Sequence, residues 1–159
     1  MTGKRAKPSK REKRHPHKGL KQVSKQRVSA QRTANLLRNC VYEGDPRHKS
    51  APGDFDLRPR TDPRPDKNLC NPSPASVTNR AQAQELLSDG IGQQLLSPDT
   101  NKGGYPSRIW CVRQSDQMVF EARVSGAESN RYHGFPLYED DAQREKVLEI
   151  WQKDQARCL

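Results

Sequence analysis

Residues 107–137 read SRIWCVRQSDQMVFEARVSGAESNRYHGFPL. SRIWCVR is an apolar, β-branched run of strand length, and QSDQ is a polar turn. In MVFEARV, Met118, Phe120, Ala122 and Val124 alternate with Val119, Glu121 and Arg123, a period of two. SGAESNR is a second polar turn, and YHGFPL is a short third strand or an extended segment. The parity of the middle strand turns Met118, Phe120, Ala122 and Val124 toward the helices and Glu121 and Arg123 outward. A one-residue slip would bury both charges, and burying an unpaired ion is costly.

Helical patterns flank this block. Upstream, Ser76 or Thr78 is a candidate cap for a helix through NRAQAQELLSDGIGQQLLS. Ala83, Leu86, Leu87, Ile91, Leu95 and Leu96 keep helical spacing there. Gly90 and Gly92 weaken the second half, and Pro98 with NKGGYP ends it. Downstream, EDDAQREKVLEIWQKDQARCL has acids in its first turn and bases near its end, which suits the helix dipole, with Val147, Leu148 and Trp151 toward the core. The expected fold class is α+β: a small three-stranded antiparallel sheet packed by two helices over residues 76–159.

Residues 40–75 hold seven of the twelve prolines, so this stretch is expected to be an extended loop. Its ends, NCVYEG and KNLCN, are apolar enough to dock on the domain. A loop of this length is unusual unless functional, which makes it a candidate surface for a protein partner.

Charge divides the chain sharply. Residues 1–39 carry 13 Lys or Arg and one acid, a net +12. Residues 40–159 carry the other 16 basic and 18 acidic residues, a net −2. The first 34 residues have no aromatic and almost no large aliphatic side chain, so they cannot offset ordering entropy by burial. Residues 1–39 are therefore expected to be a disordered basic arm, with at most a basic helix from about Ser24 to Arg38 formed on contact with a partner. A cut after residue 34 is expected to separate the arm from the fold.

Such an arm suits a phosphate backbone, because each Lys or Arg contact releases counterions without reading sequence. Lys4, Arg5, Lys7, Lys10, Arg11, Lys13, Arg14, Lys18, Lys21, Lys25 and Arg27 are the candidate nucleic-acid contacts. RNA is the favoured partner over DNA. The plain alternative is a solvated tail. The arm has no ring to stack a base, so stacking falls to the domain, where Tyr132 is the candidate.

Mean hydropathy is −1.12, too polar for the whole chain to pack. No apolar run approaches the ~20 residues of a membrane span, and no apolar leader opens the chain, so a cytoplasmic protein without a membrane partner is expected. The cysteines, Cys40, Cys70, Cys111 and Cys158, are scattered without CxxC spacing and read as free thiols.

Three side chains are candidates for chemistry. Glu121 and Arg123 share a strand face, and His133 joins them if YHGFPL pairs with that strand. A carboxylate, a guanidinium and an imidazole can serve as base, phosphate clamp and acid. The ordinary alternatives are a cross-strand salt bridge and a histidine bonded inside a tight bend. The residue types resemble those of small microbial ribonucleases of the barnase type. That likeness implies a metal-independent ribonuclease of toxin or defence type, with Glu121, Arg123 and His133 catalytic. Whether the folded part is an enzyme stays open at this point. No cofactor is implied.

Cys40, His48 and Cys70 supply three zinc-type ligands where a structural site takes four. RHKSAP and KNLCN resemble segments of the zinc-supported His–Asn–His nucleases, but the paired CxxC turns are missing, so no metal is expected. Taken together, CVYEG, RHK, the later LC, RIWCV with VFEARV, and YHGFP before a last helix resemble a family of small, largely uncharacterised bacterial proteins. The resemblance implies one continuous unit from about residue 40 and makes His48 and His133 candidates for one surface. It carries no activity.

Overall fold

The computed structural model describes residues 24–25, 28–49, 52–58, 68–70 and 72–159. Within them, β4 (Arg108–Arg113), β5 (Met118–Val124) and β6 (Arg131–Leu137) form an antiparallel meander. Three two-residue strands extend it: β1 (Ser24–Lys25), β2 (Val41–Tyr42) and β3 (Leu95–Leu96). The sheet order is β1-β3-β4-β5-β6-β2. All pairs are antiparallel except β2 with β6, which is parallel. The helices are α1 (Ala30–Asn39), α2 (Arg80–Gly92) and α3 (Ala142–Arg157). Single 3-10 turns lie at Pro46–His48 and Pro52–Phe55.

This corrects the expected three-stranded antiparallel sheet with two helices. The architecture is α+β, but the sheet is mixed and has three helices. Each difference has a local cause. Leu95 and Leu96 leave the helical pattern because α2 stops at Gly92 and Gln94 takes φ +57°, which reverses the chain into β3. The Gln93 side chain pairs both ways with the Val112 backbone, at 2.9 and 3.0 Å, and so anchors that reversal on β4. Val41 and Tyr42 are an edge strand; the Val41 N–H donates to the Asn130 carbonyl at 3.0 Å and the Glu43 N–H to that of Tyr132 at 2.8 Å. Gly44 at φ +88° and Pro46 then end it.

Helix α1 starts nearer the C-terminal side than the sequence suggests. Ser29 caps it, accepting from the Arg32 N–H at 3.1 Å, and Leu36 is buried. Arg32 also donates to the Gly104 carbonyl, across 72 residues. In α2 the cap is Asn79, which accepts from the Gln82 N–H at 2.9 Å, while Gln82 reaches back to the Thr78 N–H at 2.9 Å. Ala83, Leu87, Gly90 and Ile91 form its buried stripe.

Both faces of the sheet are covered. On one, Ile109, Met118, Phe120 and Tyr132 pack with α1, α2, the buried Tyr42, Phe55 and Cys70 of the proline-rich stretch, and Val77. On the other, Trp110, Val112, Val119, Phe135 and Leu137 pack with Val147 and Leu148 of α3. The unbroken run Ile109-Trp110-Cys111-Val112 is buried on both sides, as a central strand's should be. The face that carries Glu121 is therefore covered by α3 and is not open to solvent at that position.

Candidate functional site

The register of β5 and β6 sets the site. Arg123 lies opposite His133, and Glu121 opposite Phe135. Alternation puts these four side chains, with Trp110 and Arg108 of β4, on one face. The three residues proposed for catalysis do share that face, but their environments differ.

Glu121 is 3% exposed. Arg108 Nη1 and Arg123 Nε both donate to its Oε1, at 2.5 and 2.7 Å, and the Trp110 indole N–H donates to Oε2 at 3.2 Å. Every strong donor around the carboxylate is engaged, so Glu121 is a buried structural anion. The expectation of an outward-facing general base is corrected. Its burial is tolerated because it is paired and hydrogen-bonded. Arg123 is 46% exposed at its side chain and rests over the Phe135 ring at 4.9 Å. It keeps solvent-facing donors.

His133 is half-buried, with Nδ1 3.2 Å from Ser125 Oγ. His48 joins it from the Pro46–His48 turn, whose cap Asp45 also pairs with Arg47 at 2.5 Å. The His48 ring stacks on Phe135, with centroids 4.7 Å apart, and lies 6.4 Å from the His133 ring at 14°. His48 Nδ1 is 2.9 Å from the Asn68 carbonyl oxygen. A carbonyl only accepts, so Nδ1 carries the proton and Nε2 is left as an acceptor. Burial pushes His48 down to about 4, and the nearby Lys49 adds to this. Burial also lowers His133, with Arg123 and Arg47 reinforcing and Asp45 opposing. Both imidazoles are thus neutral near pH 7, between two partly exposed arginines.

Tyr132 points the other way. It is 0% exposed, and its hydroxyl donates to the Pro106 carbonyl at 2.6 Å. It presents no ring to a base, which corrects its assignment as a stacking residue. Lys4, Arg5, Lys7, Lys10, Arg11, Lys13, Arg14, Lys18, Lys21 and Arg27 lie outside the described residues. For Lys25 only the backbone, paired with Leu95, is described. Pro59, Pro63 and Pro65 also lie outside.

Segments far apart in sequence meet at β6. Tyr42 of CVYEG pairs with Tyr132. His48 and Lys49 of RHK reach the His133 ring and the Gly134 carbonyl. Leu69 accepts from the Tyr138 hydroxyl at 2.9 Å, and Cys70 contacts the Gly134 carbonyl. Arg47, Lys49 and Arg108 were not singled out from sequence. The RHK tripeptide was the only signal for the first two, and nothing in the spacing marked Arg108.

Among the described residues no three His, Cys, Asp or Glu side chains gather to hold a metal ion. Cys40, Cys70 and Cys111 are buried free thiols, and Cys158 is exposed. No described helix is long and apolar enough to cross a membrane. No protein-family model, curated protein or solved structure matches the chain.

Proposed function

We propose that this protein binds the phosphate backbone of nucleic acid, RNA in preference to DNA. Residues 1–39 supply the electrostatic attraction, and the surface bearing Arg47, Arg123 and the half-buried His133 receives the strand. The observation that carries this reading is the charge division, +12 in residues 1–39 against −2 in the rest. A chain of phosphates is the partner for which such a segment gives affinity without a fixed geometry. Arg123, partly exposed, shares the Glu121 carboxylate with Arg108 and leaves one net positive charge there, while Asp45 offsets Arg47. The test is salt-titrated binding of the full chain to labelled single-stranded RNA and to DNA of the same sequence. A steep fall of affinity with salt, and tighter binding to RNA, is expected. Affinity indifferent to salt overturns the reading.

A second reading is favoured by the half-buried His133 imidazole opposite Arg123: metal-independent ribonuclease activity. The roles differ from those first assigned, because Glu121 is held by Arg108 and Arg123. The His133 imidazole takes the proton of a 2′-hydroxyl, whose oxygen attacks the adjacent phosphorus, and the imidazolium so formed gives that proton to the departing 5′-oxygen, leaving a cyclic phosphate. Arg123 offsets charge on the phosphoryl oxygens. The phosphate itself favours the protonated form of the imidazole beside it. His133→Ala is expected to abolish cleavage of labelled RNA while binding persists. Cleavage unchanged in that variant, or no cleavage by the parent chain, removes the enzyme reading and leaves the binding one.

A further inference from the structure

On the opposite side of β6 from the two histidines, Lys49 is 5% exposed and Cys70 4%. Lys49 Nζ lies 3.0 Å from Cys70 Sγ and 3.4 Å from the Gly134 carbonyl oxygen. It also sits over the rings of Phe55, at 4.6 Å, and Tyr42, at 5.5 Å. Among the described residues no carboxylate pairs with it. A buried amine of this kind normally has an anion beside it, because a lone ammonium in an apolar surround is costly. Cys70 does not supply that anion, since burial holds its thiol protonated even though Lys49 opposes the effect.

Lys49 and Cys70 border a cavity of about 40 Å³. The remaining wall is almost wholly apolar, with Val77, Leu87, Ile109 and Phe120 among its residues. Tyr42 lines it too, and the Tyr42 hydroxyl is buried with no hydrogen-bond partner among the described residues. The space takes about three water-sized groups. Gly134 keeps this side of β6 open: a Cβ there would stand 3.8 Å from the Tyr42 ring and 3.5 Å from the Glu121 carbonyl oxygen.

We propose that this cavity binds a one- or two-carbon monocarboxylate, formate or acetate, its carboxylate on Lys49 Nζ and the acetate methyl among Val77, Leu87 and Ile109. The ligand supplies the anion that no described residue gives the amine, and apolar contact at the wall. Charge selects the head, and the space for about three water-sized groups limits the tail to about one carbon. The proposal is independent of nucleic-acid binding.

The test is calorimetric titration of the full chain with acetate and with acetamide, its uncharged counterpart of the same shape. Acetate should bind and raise the melting temperature, with affinity at least tenfold above that of acetamide. Lys49→Met keeps the side-chain length and removes the amine; it should fold and lose acetate binding. Ala83→Leu fills the cavity from α2 without touching Lys49 and should also lose it. No binding by the parent chain, equal binding of acetamide, or acetate binding retained in either variant overturns the proposal. Should Lys49→Met not fold, the acetamide comparison and Ala83→Leu decide it.

Discussion

Glu121 holds two guanidinium groups and an indole N–H on one buried carboxylate, joining β4 to β5 from beneath α3. Glu121→Gln preserves shape and removes the charge, leaving Arg108 half-buried without an anion. Breaking a buried pair from one side costs about 3–5 kcal/mol. Arg123 is nearly half exposed and recovers water, so a loss of about 2–3 kcal/mol is expected in urea unfolding. His48 sets a different dependence. Its folded pKa, about 4, lies below the ordinary value of 6.5. Protons therefore bind the unfolded chain first, and the stabilisation is complete above pH 6.5 and lost as pH falls toward 4. The span corresponds to a loss on the order of 3 kcal/mol. Stability measured against pH should flatten across that window in His48→Gln, with a slope smaller by up to about one proton; His133, also lowered, accounts for part of what is left.

Two glycines of one helix show what elements demand of residues. A Cβ at Gly90 would lie 2.5 Å from the Trp110 carbonyl oxygen and 2.9 Å from Ile109 Cγ2, whereas one at Gly92 meets nothing within 4 Å. Backbone cannot rotate aside as a side chain can, so the clash at Gly90 outweighs the helix-propensity gain of about 1 kcal/mol. Gly90→Ala should lower the urea midpoint, and Gly92→Ala should raise it by the equivalent of up to about 1 kcal/mol. In the sequence these glycines look alike, since both merely weaken a helix; only the close approach of α2 to β4 separates them. The meander was legible because its alternation and polar turns are local. The parallel edge pair Val41–Tyr42 with Arg131–Tyr132 was not, since it joins residues some 90 apart through two positions each. The same separation hid the site. Arg123 opposite His133 follows from strand register, but the ring of His48 reaches them from a proline-rich stretch whose pattern predicts only loop. The outward reading of Glu121 failed for a related reason: Val119, Phe135 and Leu137 make its face apolar as well, and α3 covers it.

Across the whole molecule, the charge boundary and the fold boundary do not coincide. The basic segment runs to residue 39, yet described contacts with the fold begin at Ser24, paired with Leu96, and continue through α1, which buries Leu36. A cut after residue 34 would remove the Ser29 cap and Arg32, which donates to Gly104, and would split α1. Loss of a cap alone costs about 1 kcal/mol, and half a helix more. That deletion should therefore lower the melting temperature, contrary to the simple picture of a detachable arm. Deleting residues 1–23 spares the β1 pairing, the cap and α1. It removes nine Lys or Arg and one acid, a net +8 of the +12, and leaves Lys25, Arg27, Arg32 and Arg38 in place. The shorter chain should melt like the parent and lose most of its affinity for single-stranded RNA. The slope of log affinity against log salt should become shallower by about 0.7 for each phosphate that is no longer neutralised. Fluorescence anisotropy across a salt series, alongside thermal melts, reads both quantities. An unchanged melt with unchanged affinity would move the binding function off the N-terminal segment and onto the Arg47–Arg123 face, where Arg123→Ala should then be the damaging substitution.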